Sequence, residues 1–160
     1  MIPRETYDDS EILATVQEML HVLAQPDPDP ELFRILESKP LSTMYVTKLI
    51  GATAVAAAGM TLKASPVPRA DVTAVHVGYN AHPDDIPGWQ KDSADLIALA
   101  CDFLLTSDDD GQAQALQAAC LTLAQRDPQY ALLALADLLA HMRRLLEGDT
   151  RGVVTRDPDT

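Results

Sequence analysis

The chain has 160 residues, of which 47% are hydrophobic but only 4% aromatic, and a formal net charge of −12. That length suits one domain with an aliphatic core. The charge argues against direct binding to nucleic acid and against docking on anionic membranes, since both need basic residues to displace counterions. Only 4 of the 12 basic residues are Lys, and Asn80 is the single Asn; this bias points to a GC-rich gene of a bacterium or bacterial virus.

Residues 6–25 read as the first helix. Thr6 with Asp9 forms a possible capping pair, and Ile12, Val16, Met19, Leu20 and Leu23 make one apolar stripe. The Pro26, Pro28, Pro30 run ends it. A short second helix over 29–39 follows, with Asp29 as cap, Pro30 at its first position and Leu32, Ile35 and Leu36 inward.

Residues 41–64 are expected to be helical, because Ala is a good helix former and a poor strand former. Leu41, Met44, Tyr45, Leu49, Ala52, Val55, Ala56 and Gly59 mark the expected inner face. Residues 44–50 alone also tolerate a strand. The uncharged apolar run over 49–62 is 14 residues, too short to suggest a membrane span.

The segment 65–91 is irregular in pattern. It holds four prolines, two of the four histidines and the single Trp89. Alternation over 71–79 is a weak strand signal. Three helices then follow over 93–106, 108–125 and 127–147, capped by Ser93, by the acids at 108–110 and by Asp127 with Pro128. Gly148 is placed to end the last. Residues 149–160 lack periodicity and read as a polar tail. The fold expected is all-α: about six helices in one bundle over 1–148, with the irregular segment inside it.

Chemistry is thinly signalled. His76, His82, Asp84 and Asp85 form the one His/acid cluster, a weak metal or catalytic candidate. Their spacing matches no metal motif, and local capping explains the acids as well. The acids at 108 and 110 with Gly111 brush a calcium-loop pattern, but Gln117 stands where its closing acid belongs. Asp137, His141 and Arg144 share a stripe, as do Asp95 and Asp102; both read as wet faces. Cys101 and Cys120 lie in apolar stretches, so buried reduced thiols are expected. No Ser elbow or phosphate loop is present, and no cofactor is expected.

The leading expectation is therefore a non-catalytic interaction or regulatory protein. It would be cytoplasmic, since the N-terminal residues lack an apolar signal region, and would self-associate or bind a protein partner. Trp89 and the stripe Leu132, Leu135, Leu139, Met142 and Leu146 are the expected contacts. The alternatives are an enzyme or metal protein using the 76–85 cluster, or an acidic mimic of nucleic acid.

Overall fold

The computed structural model describes residues 9–39, 42–64, 88–105 and 110–148. These form six α-helices and, among the described residues, no strand: α1 (Asp9–Leu23), α2 (Asp29–Glu37), α3 (Thr43–Ala64), α4 (Gly88–Leu105), α5 (Asp110–Arg126) and α6 (Pro128–Leu146). Thr6, the possible strand 71–79 and the 149–160 tail lie outside the described residues.

In α1 the expected stripe is buried at Ile12, Val16, Met19 and Leu23, with Leu20 partly covered. Thr15 is buried too; its hydroxyl bonds the Glu11 carbonyl at 3.0 Å and the Tyr45 hydroxyl at 2.9 Å. A hydroxyl satisfied in this way can enter a core because its hydrogen bonds offset the cost of leaving water. Helix α2 buries Leu32 and Ile35. Its cap differs from expectation: Pro28 is the N-cap, Asp29 is the first helical residue, and no side chain caps the end. Ser38 closes the other end, its Oγ donating to the Ile35 carbonyl at 2.7 Å.

Helix α3 packs against α1, α4, α5 and α6. It is long and apolar enough over Thr43–Lys63 to cross a membrane by length and composition alone, but more than half of that stretch is buried by the rest of the protein. A core helix meets the same test. Its inner face is rotated from the expected one. Val46, Leu49, Ile50, Thr53, Ala54, Ala57, Ala58 and Thr61 face inward with Tyr45, while Met44 and Gly59 are exposed. The threonines allow this, because Thr53 and Thr61 donate to the Leu49 and Ala57 carbonyls at 2.7 and 2.8 Å.

Helix α4 begins at Gly88, so 88–91 are helical rather than irregular. Ser93 is thus an interior residue, not a cap: it is fully buried and its Oγ has no hydrogen-bond partner. Helix α5 buries Leu116, Cys120, Leu123 and Ala124. Helix α6 starts as expected, with Asp127 extended (φ −167°, ψ 121°) and its carboxylate accepting from the Gln129 N–H. Gly148 ends it at φ +82°, a left-handed conformation that favours glycine. Buried side chains from all six helices join one apolar core.

Candidate functional site

On α4, Asp92, Asp95 and Asp102 recur at i, i+3 and i+10, which places them along one side of the helix. Leu96 and Leu99 interleave with them. On α5, Ala119, Thr122, Leu123 and Arg126 recur at i, i+3, i+4 and i+7. The two stripes face each other across a groove of about 500 Å³, with an apolar floor of Leu96, Leu99, Ala119 and Leu123. Its polar margin is the three carboxylates and Arg126.

The electrostatics of this groove are unbalanced. Partial burial pushes the Asp95 carboxyl up from its ordinary value, and the Asp92 charge pushes it further. Asp92 accepts a hydrogen bond from the Tyr130 hydroxyl. That bond, then burial and the Asp92 charge, holds the Tyr130 hydroxyl above its ordinary value, with the Arg126 charge opposing. The Arg126 guanidinium lies 4.9 Å from the centre of the Tyr130 ring, a cation–π contact. The ring hydroxyl also sits against Gly88: a Cβ added there would lie 2.9 Å from it. Tyr130 thus joins the start of α4, the end of α5 and the start of α6.

A second groove, of about 420 Å³, lies between α1, α3, α4 and α5. Leu13, Met44, Phe103 and Leu116 line it, with Gly51 and Cys120 beneath. Leu13 and Met44 are among the exposed large apolar residues.

Both cysteines are buried and unpaired with each other. Burial, then the Asp102 charge, pushes the Cys101 thiol up to about 11; burial alone pushes Cys120 up to about 12. Both stay protonated at neutral pH, so neither supplies a thiolate nucleophile. Among the described residues no group of three His, Cys, Asp or Glu can hold a metal ion.

The sequence candidates are distributed as follows. His76, His82, Asp84 and Asp85 lie outside the described residues. Trp89 stands half-buried in the first turn of α4. Leu135, Leu139 and Met142 are buried in the chain's own core, Leu132 is half-buried, and Leu146 is exposed. The Asp137–His141 stripe is not a wet face, because both residues are buried. The His141 Nε2 is 3.0 Å from the Thr61 Oγ1. Since that hydroxyl donates to the Ala57 carbonyl, the imidazole Nε2–H is the donor to it. Sequence reasoning passed over Arg126 and Tyr130; an i, i+4 Arg–Tyr pair straddling the Asp127-Pro128 cap was the available signal.

No family model, no curated protein and no solved structure matches this chain.

Proposed function

We propose that this is a non-catalytic interaction protein, and that the α4–α5 groove takes a basic, amphipathic segment of a partner protein. The observation that carries the reading is the joining of an apolar floor to the Asp92, Asp95 and Asp102 margin. An apolar helix face can fill the floor, and Lys or Arg beside it would offset the Asp92 repulsion that, after burial, raises Asp95. The net charge of −12 favours the approach of such a segment. In this reading the helices form a single bundle acting in the cytoplasm of a bacterium or of a host of its viruses.

The test uses a fluorescent Lys/Leu amphipathic helix as probe, followed by anisotropy at low and high salt. Asp95→Asn with Asp102→Asn should weaken binding about tenfold, whereas Glu11→Gln with Glu18→Gln, distant from the groove, should not. Equal weakening by both pairs would reduce the effect to net charge and refute the site.

A second reading, self-association, is favoured by the exposed Leu13 and Met44 beside the apolar groove. It moves the interface away from the α6 stripe, most of which the core has already covered. Light scattering across a dilution series tests it: an oligomer that Met44→Glu dissociates supports it, and a strict monomer ends it.

A further inference from the structure

Helix α2 is attached on one side only. Among the described helices it packs against α1 and no other. Across from it α6 presents Ala136, Leu139, Ala140 and Arg143, and between the two lies an unfilled groove of about 310 Å³. Leu32 and Leu36 line its α2 side, and so does Phe33, which is 66% exposed. Phe33 is the most exposed of the large apolar residues among the described ones, and its ring stands at the rim of this apolar groove.

The connection from α1 into α2 fits a hinge. The joint from α1, residues 24–28, contains Pro26 and Pro28 and carries no helical hydrogen-bond ladder. The joint is pinned from one direction: the Arg143 guanidinium donates to the Leu23 and Gln25 carbonyls, holding the end of α1 to α6. Half-buried Lys39 and exposed Glu18, 3.6 Å apart, tie the segment just after α2 to α1. These contacts hold the joint before α2 and the segment after it, and among the described residues no hydrogen bond or ion pair joins α2 itself to α6.

We infer that α2 is a hinged strap with two positions, and that its second position closes the α2–α6 groove by placing the Phe33 ring on Ala136, Leu139 and Ala140. Closure removes the ring and the groove walls from water, and it needs no change within α1 or α6. Such hinge motions of a whole helix occur on the microsecond-to-millisecond scale.

Fluorine NMR on protein labelled with 4-fluorophenylalanine tests this directly. Phe103→Leu leaves Phe33 as the single reporter, because the chain has two phenylalanines. The expected result is a second Phe33 signal, or relaxation dispersion of its one signal. Ala136→Glu should abolish it, since Ala136 is exposed and lies in the groove wall. Ala136→Lys should do the same, which separates obstruction from charge. Circular dichroism confirms that each variant keeps its helix content. One Phe33 signal with flat dispersion in the parent overturns the inference, and so does dispersion that both Ala136 variants leave unchanged.

Discussion

Helices α3 and α2 both bury Leu and Ile in the same core, yet they are held in opposite ways. Helix α3 meets α1, α4, α5 and α6, while α2 meets α1 alone. In α3 the restraint is interdigitated volume, spread over Leu49, Ile50, Ala54, Ala57 and Ala58, all fully buried. Where α1 and α2 leave that centre, single polar bonds take over: Thr15 to Tyr45, Arg143 to the end of α1, and Lys39 to Glu18. Close packing feels any loss of volume, because the neighbours collapse only partly around it, whereas a directional tether contributes about the worth of one or two hydrogen bonds and fails when one group is removed.

The contrast can be broken most forcefully in the core. Met142→Ala on α6, at a fully buried position, should cost about 2–5 kcal/mol by urea denaturation. Leu32→Ala on α2 should cost clearly less, and equal losses would erase the distinction between centre and edge. Next comes the tether. Arg143→Met keeps the apolar stem but removes the bonds to the Leu23 and Gln25 carbonyls. A loss of about 1–2 kcal/mol is expected, with amide exchange accelerating in α1 and α2 more than in α3. Tyr45→Phe should cost about 1 kcal/mol, because Thr15 keeps the Glu11 carbonyl as a partner and no buried hydroxyl is orphaned.

Ser93→Ala sharpens the comparison in the opposite direction. Its buried hydroxyl has no partner, so removal should leave stability unchanged or raise it by up to about 1 kcal/mol. A residue acting as a helix cap would instead lose stability. The smallest effect belongs to Asp95→Asn. The folded protein holds the Asp95 proton more tightly than the unfolded chain, whose carboxyl keeps its ordinary 3.8. Native stability therefore falls as pH rises through the interval above 3.8, and the penalty is complete beyond the raised value. Asn removes it. The gain should be well under about 1 kcal/mol for so solvated a group, present at neutral pH and absent below 3.8 in thermal melts.

Helix identity was legible because the apolar spacing in α1, α5 and α6 repeats cleanly, and Asp127-Pro128 and Gly148 mark the ends of α6 in residue chemistry. The inward direction of α3 was not. A helix of Ala, Gly and Thr is tolerably apolar all round, and its buried threonines advertise polarity that their own carbonyls cancel. The start of α4 was obscured by two competing signals, Pro87-Gly88 and Ser93, of which the later one resembled a better cap. Of the candidate groove, Asp95 and Asp102 were visible as a pair, but not the α5 stripe opposite. Pairing two helix faces is a tertiary fact that spacing within either helix does not contain. His141 and Asp137 misled for a related reason: charge-bearing side chains at helical spacing look solvated until a partner such as Thr61 arrives from elsewhere in the chain.

The glycine at the start of α4 carries a consequence for how this gene can drift. A Cβ added at Gly88 would lie 2.9 Å from the Tyr130 hydroxyl, so the two positions share one small space. Alanine at 88 alone must displace a ring that is bonded to Asp92 and stacked under Arg126. Phenylalanine at 130 opens the space but abandons the Asp92 bond. A side chain at 88 should therefore be better tolerated once residue 130 is shorter, which a Gly88→Ala, Tyr130→Phe double-mutant cycle would read as coupling. A single point of close approach would thereby couple two helices that no local pattern connects.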